Sequence, residues 1–191
     1  IDIGANYIWT DGTNYYCSDM EYNYIFNKNT KRWSSYYLDT PIVQFDGRNV
    51  WTDGTDIYYS YSSEQFVLKN GEWVEKEWDS NVDICGMYIW TDGKNTYSSF
   101  YADQYVLSDN KWIKKDWNID TEYLTGDFIW FDGYYAYFTI FSKTPLVLID
   151  GNWVEAGWSN FLDTTYSCIW TDGTNFYHSD EGVNYKFIRE E

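Results

Sequence analysis

Five aspartates recur along the 191-residue chain: Asp11, Asp53, Asp92, Asp132 and Asp172, each followed by glycine, at spacings of 42, 39, 40 and 40. Carboxylates on a shared period could form a ring that binds Ca²⁺ or a sugar. They could also be turn chemistry, in which the Asp oxygens accept neighbouring backbone N–H groups and Gly supplies a left-handed backbone. Calcium loops of the EF-hand or repeat-in-toxin kind place several acids at alternate positions, and that spacing is not found here. The five aspartates are therefore read as hairpin residues, and no metal or other cofactor is expected.

Other catalytic constellations fail for want of partners. Glycoside hydrolysis needs two carboxylates facing one sugar. The acids that break the repeat, Glu64, Asp103, Glu122 and Asp127, fall in expected loops or connectors with no recognisable site around them. His178 is the single histidine, too few for a two-histidine copper site, and its position is that of a surface strand residue. Arg32, Arg48 and Arg189 sit at unrelated repeat positions, so no arginine cluster is available for sialidase-type chemistry. Cys17, Cys85 and Cys168 occupy three different repeat positions without a CxxC pair, and read as small buried hydrophobes. No glycine-rich phosphate loop is present. The chain is expected not to be an enzyme and has no expected catalytic residue.

The elements that carry these residues are β-strands. Tryptophan, tyrosine and phenylalanine together make up 23 % of the chain, and such residues fit pleated, half-buried surfaces. Sustained helical periodicity is absent. A formal charge of −17 repels phosphate backbones, so no nucleic-acid partner is expected. No apolar run approaches the roughly 18 residues of a spanning helix, so membrane insertion is not expected either.

Five tryptophans, Trp9, Trp51, Trp90, Trp130 and Trp170, each stand two residues before one of the aspartates. A period near 40 signals a solenoid or propeller whose units cannot bury their apolar faces alone. In the second repeat, "NVWT", "IYYS", "QFVLK" and "EWVEKEW" read as four strands. "DGTD", "SYSSE" and "KNG" are the turns, with "DGTD" expected as a tight two-residue hairpin. "VQFDG" ahead of the anchor Trp is either a connector or a further short strand. Apolar residues on both parities of the first strand, such as Ile8 and Trp9, predict a strand buried on both faces between neighbouring sheets. That arrangement belongs to a propeller. The expected fold is an all-β propeller of five repeats at about 1–42, 43–83, 84–123, 124–164 and 165–191, with antiparallel four-stranded blades.

The stretch "YNYIFNKNTKRW" (Tyr22 to Trp33) resembles kelch repeats, in which an aromatic strand, a polar turn and a Trp follow one another. "NYIWTDG" resembles the kelch strand that ends in a glycine pair, although here a single Gly follows the Asp. The short repeat is also similar to the blades of tachylectin-type five-bladed lectins. WD40 repeats fit less well, since their Gly-His pair is missing. The resemblance spans all five repeats and implies a propeller used for binding; it implies no reaction.

Trp33, Trp73, Trp112 and Trp153 open the fourth strands, 24, 22, 22 and 23 residues after their anchors. The fifth repeat shows no such Trp: either 1–191 is a single propeller domain whose last blade lacks its outer strand, or the chain is a segment of a longer protein, which is the preferred expectation. The expected role is a non-enzymatic binding or structural module that mediates protein–protein interaction or assembly, on an extracellular or viral particle. A carbohydrate-binding lectin is the alternative, and a glycoside hydrolase a second one. Expected partners are a protein, other subunits of an assembly, or a glycan. At Tyr134 and Tyr135 the fourth hairpin carries two aromatics where others carry Thr-Asn, Thr-Asp or Lys-Asn, which makes this pair the candidate ligand contact. The tryptophan pairs Trp73/Trp78, Trp112/Trp117 and Trp153/Trp158 are expected to cap blade edges.

Overall fold

The computed structural model describes residues 8–18, 22–37, 40–42, 45–79, 82–139, 144–157, 168–171, 175–180 and 183–188, the strand residues 168–171, 176, 178–180 and 183–184 by their backbone. Runs of aromatic and β-branched residues punctuated by Asx-Gly turns fold as antiparallel meanders. The first contains β1 (Ile8–Thr10), β2 (Tyr15–Ser18), β3 (Asn23–Asn27) and β4 (Arg32–Ser35). The second contains β5 (Val50–Thr52), β6 (Ile57–Tyr61), β7 (Glu64–Lys69) and β8 (Glu72–Glu75). The third is β9 (Ile89–Thr91), β10 (Thr96–Phe100), β11 (Asp103–Ser108) and β12 (Lys111–Lys114). The fourth is β13 (Ile129–Phe131), β14 (Ala136–Phe138), β15 (Leu146–Ile149) and β16 (Asn152–Glu155). In each, the strands lie side by side in sequence order. The fold is all-β and of propeller type, and the only helical segments among the described residues are three short 3-10 turns.

The expectation of five blades is corrected to four. The fifth repeat forms a three-stranded sheet of β17 (Cys168–Thr171), β18 (Phe176–Asp180) and β19 (Val183–Lys186). Among the described residues no strand pairs with the outer edge of β19, and the repeat has no tryptophan of the kind that opens β4, β8, β12 and β16.

Two kinds of hairpin emerge. Between the first and second strands the loop has four residues, since Thr10 pairs with Tyr15 and Thr52 with Ile57. This differs from the two-residue turn expected for Asp-Gly. The Asp side chain closes the larger loop, and Gly12 and Gly54 take positive φ within it. In the first blade β3 and β4 are also joined by four residues, Asn27 pairing with Arg32, whereas two-residue turns join β6 to β7, β15 to β16 and β7 to β8. In the last of these, Lys69 pairs with Glu72 across Asn70 (φ 53°) and Gly71 (φ 86°), the left-handed pair of a type I′ turn.

The chain divides into two compact units, residues 1–87 with 110–112, and residues 88–109 with 113–191. Within them, the four anchor tryptophans whose side chains are described, Trp9, Trp51, Trp90 and Trp130, do the same thing. Each stacks on the tyrosine paired with it in its own blade, at 4.3 Å for Trp9–Tyr16 and 4.4 Å for Trp51–Tyr58 in the first unit. The distances are 4.3 Å for Trp90–Tyr97 and 4.5 Å for Trp130–Tyr137 in the second unit. The anchor also meets the outer-strand tryptophan of the following repeat: Trp9–Trp73 at 6.0 Å, Trp51–Trp112 at 5.8 Å and Trp90–Trp153 at 5.6 Å. Trp73, Trp112 and Trp153 are buried core residues and not edge caps. Neither the Trp73 nor the Trp153 indole N–H has a hydrogen-bond acceptor; each ring lies among other aromatic rings. Hydroxyls bind the anchor indoles instead, Trp9 Nε1 donating to Ser18 Oγ at 3.0 Å and Trp90 Nε1 to Ser99 Oγ at 2.8 Å.

Burial on both faces of the first strand holds in the fourth blade, where Ile129 and the partly buried Trp130 both lie inside. It fails in the first, where Ile8 is exposed beside the buried Trp9. Ile129 is enclosed by Leu124, Ala136 and Phe138 in the core of the second unit, and no described residue encloses Ile8 in this way. The connectors ahead of the anchors are 3-10 turns, Gly47–Asn49, Gly86–Tyr88 and Gly126–Phe128. Their glycines are required by close approach. A Cβ on Gly86 would lie 2.1 Å from the Asn49 carbonyl oxygen, and one on Gly126 2.0 Å from that of Tyr88.

Candidate functional site: the aromatic hairpin of the fourth blade

The four-residue hairpins share one hydrogen-bond design. In the first blade Asp11 Oδ1 accepts Thr13 N at 2.8 Å and Asn14 N at 2.7 Å, while Oδ2 accepts the Tyr16 hydroxyl at 2.8 Å. Thr10 Oγ1 donates to Asn14 O at 2.7 Å and accepts Gly12 N at 3.0 Å. Thr52 and Asp53 repeat this around Gly54, and Thr91 and Asp92 around Gly93. The carboxylates are thus committed to their own loops. Burial pushes the Asp92 carboxyl up, but hydrogen bonds from Asn95, Lys94 and Tyr97 prevail and hold it below its ordinary value. Asp11 behaves likewise, through Asn14, Thr13 and Tyr16. Asp172 lies outside the described residues.

The fourth blade keeps the carboxylate and changes the rest. Asp132 Oδ1 accepts Tyr134 N at 2.9 Å and Tyr135 N at 2.8 Å, and Oδ2 accepts the Tyr137 hydroxyl at 3.2 Å. Phe131 replaces the threonine and loses its two hydroxyl bonds. Its ring instead covers Gly93 of the third blade, where an added Cβ would lie 2.5 Å from Phe131 Cζ. Asp132 is buried, at 6 % exposure, beneath a tip that points outward: Tyr134 is 73 % exposed and Tyr135 42 %. Tyr135 also sits edge-on to Tyr137 at 6.5 Å. Both sequence-derived site residues therefore lie together on one loop with their aromatic surface accessible, on a backbone fixed from below by Asp132.

The other residues considered for chemistry stand apart. Glu64 lies in β7 and Asp103 opens β11, while Glu122 is in a loop and Asp127, in a 3-10 turn, accepts the Thr125 hydroxyl. Arg48 Nε and Nη2 both donate to Oδ2 of the buried Asp46, at 2.8 and 2.6 Å. Cys17 is buried, and Cys85 is partly buried with its thiol pushed up by burial. His178 belongs to β18 by its backbone; Arg189 and Trp158 fall outside the described residues. Among the described residues no three His, Cys, Asp or Glu side chains come together as a metal site, and no helix is long and apolar enough to cross a membrane.

Sequence reasoning missed a second feature, in the first unit. An open depression of about 630 Å³ is lined by Ser62, Ser63, Lys76, Glu77, Trp78 and Asp83, among others. Gln65 braces it, donating to Ser62 O at 2.7 Å and Ile84 O at 3.0 Å and accepting Trp78 Nε1 at 3.3 Å. Gln104 makes the matching bonds to Tyr101 O, Leu124 O and Trp117 Nε1 in the second unit. The signal available in the sequence was a glutamine thirteen residues before a tryptophan, present twice.

No protein-family model matches the chain, and no curated protein does. The blade architecture and the local chemistry of these two places are what a functional reading can build on.

Proposed function

We propose that this chain is a non-enzymatic propeller module that docks another protein or subunit of an assembly through the Tyr134–Tyr135 hairpin. The carrying observation is the exposed tyrosine pair on a loop whose carboxylate, Asp132, is buried and bonded to both tyrosine N–H groups. Tyrosine supplies large, rigid, amphipathic contact area and is enriched among the residues that dominate interfaces. The engagement of the repeated carboxylates in turns supports the non-enzymatic part of this reading. The setting in which such docking serves is an extracellular or viral particle. The test is a photo-cross-linking residue at position 134, with position 94 of the third-blade hairpin as control. A protein adduct formed from 134 and not from 94, reproduced with the purified partner, supports the reading. Equal adducts from both positions, or none from 134, overturn it.

The polar depression favours a second reading, a lectin. Trp78 offers part of an indole beside the Ser62 and Ser63 hydroxyls and the Glu77 and Asp83 carboxylates, a mixture suited to a sugar ring. Binding on a glycan array that is lost in Trp78→Ala supports this reading; a folded protein that binds no glycan ends it.

A further inference from the structure

Resting on the lectin reading of the polar depression, we infer that its ligand is an amino sugar with a free ammonium group, of which the glucosamine unit is the simplest form. Gln65 gathers the three segments that line the depression. Its amide donates to Ser62 O at 2.7 Å and to Ile84 O at 3.0 Å, and its side-chain oxygen accepts the Trp78 indole N–H at 3.3 Å. These bonds bring Ser62 and Ser63, Asp83 beside Ile84, and Glu77 beside Trp78 to one opening, where all four are exposed. The one cation of the lining, Lys76, is already engaged: its Nζ donates to Asn110 Oδ1 and lies 4.4 Å from the centre of a Trp78 ring. The Glu77 and Asp83 carboxylates make no hydrogen bond or ion pair with any described residue. A ligand entering here meets two acceptor-only carboxylates and two hydroxyls that both donate and accept. An ammonium bound to carboxylates makes the stronger, charge-assisted kind of hydrogen bond. The formal charge of −17 draws such a cation and repels acidic sugars. A bare metal ion is the poorer match, since the lining offers two acids and no three metal-binding side chains gather among the described residues.

The third repeat has the same frame and different side chains. Gln104 makes the three corresponding bonds, and Lys115 Nζ lies 4.6 Å from the centre of a Trp117 ring. Ser62 and Tyr101 even share one left-handed backbone, with φ 51° at each. Yet Tyr101 and Ala102 stand where the second repeat has Ser62 and Ser63, and the stretch from Trp117 to Gly126 is one residue longer than that from Trp78 to Gly86. Gln104 is buried, whereas Gln65 is partly exposed in the lining of the depression. The second repeat has therefore put two hydroxyls on a frame that carries a large ring in the third.

The test titrates the whole chain by calorimetry with a glucosamine tetramer and with its N-acetylated counterpart, which keeps the rings and loses the charge. Mildly acidic buffer of fixed salt keeps the ammonium groups protonated. The wild type is expected to bind the glucosamine tetramer about fivefold more tightly, and Glu77→Gln with Asp83→Asn to lose that preference. Asp116→Asn with Glu122→Gln removes the same charge from the third repeat and is expected to keep it. Ser62→Tyr puts the third repeat's residue on the same backbone and is expected to weaken both tetramers. Circular dichroism confirms that each variant is folded. Failure of the glucosamine tetramer to bind the wild type overturns the inference, as does equal affinity for the two tetramers. Equal losses in the two double variants overturn it by tracing the preference to overall charge, and undiminished binding in Ser62→Tyr overturns it by placing the sugar elsewhere. Any of these results, alongside glycan binding that is lost in Trp78→Ala, would discard the amino sugar and leave the lectin reading standing; a folded chain that binds no glycan ends both.

Discussion

Trp90 and Trp153 meet at 5.6 Å with their planes 49° apart, the anchor of one blade against the outer strand of the next. Trp153 is 2 % exposed and touches Trp117 and Phe138 as well. Trp153→Ala is expected to destabilise the second unit by ~3–5 kcal/mol in chemical denaturation, the usual loss for a buried large aromatic. Val154→Thr, one residue on and exposed, is expected to stay within ~0.5 kcal/mol. Equal effects from both would show that the tryptophan contact contributes nothing special.

Gly126→Ala is expected to lower stability by about 3 kcal/mol or to prevent folding, because the new methyl would strike the Tyr88 carbonyl and displace the turn leading into β13. Gly151→Asn makes the contrast. Gly151 has φ 78° with open space around it, and asparagine tolerates that backbone, so a change of under about 1 kcal/mol is expected, both variants being read by thermal unfolding.

The hairpin carboxylates set the acid limit of stability. The Asp11 and Asp92 carboxyls are held below their ordinary 3.8, so they stabilise the fold above that pH and lose this contribution as pH falls below it. Replacing Asp92 with Asn, which cannot titrate, is expected to lower stability at neutral pH and to flatten its decline in acid. Urea midpoints measured against pH test this; an acid limb of unchanged steepness in the variant would contradict it.

Tyrosines set the alkaline limit. Burial, and then the hydrogen bond to Asp11, pushes the Tyr16 phenol from 10.0 up to about 12. Burial, and then the charge of Glu64, does the same to Tyr59, again to about 12. Tyr58 and Tyr97 are raised as well, by burial and by hydrogen bonds to Asp53 and Asp92. Because the folded values lie above the unfolded ones, this stabilisation is complete below pH 10 and is lost as pH rises through 12. Tyrosinate absorbance is expected to show exposed tyrosines ionising first and the buried set ionising together with the loss of circular dichroism. A single titration near the ordinary value, with the fold intact, would contradict it.

Local chemistry was legible in the sequence where it repeats. Asp-Gly after each anchor tryptophan marked the hairpins, and the departure at Tyr134 and Tyr135 marked the candidate site. The loop length was not legible, because Thr10 and Asp11 close a four-residue loop through side-chain bonds that a dipeptide signature does not specify. The placement of Trp73 against Trp9 was also hidden, since it depends on how one repeat lies on the next and not on either strand alone. Blade number failed for a related reason: five anchors count strand pairs, whereas a full blade also needs its outer strand. The glycine four residues before Trp51, Trp90 and Trp130 was visible in the string and decided the connector's form, but its reason is a contact with another repeat's backbone.

Because the second, third and fourth repeats each lend their outer tryptophan to the repeat before, damage to one of these outer strands is expected to surface one repeat upstream. A duplication or deletion preserves this relay only when it moves a whole period. The hairpin tips stand outside the relay. A blade can therefore exchange Thr-Asn for Tyr-Tyr at its tip while its neighbours' tryptophan contacts stay as they were, so sequence drift at the tips can create new recognition without reopening the core.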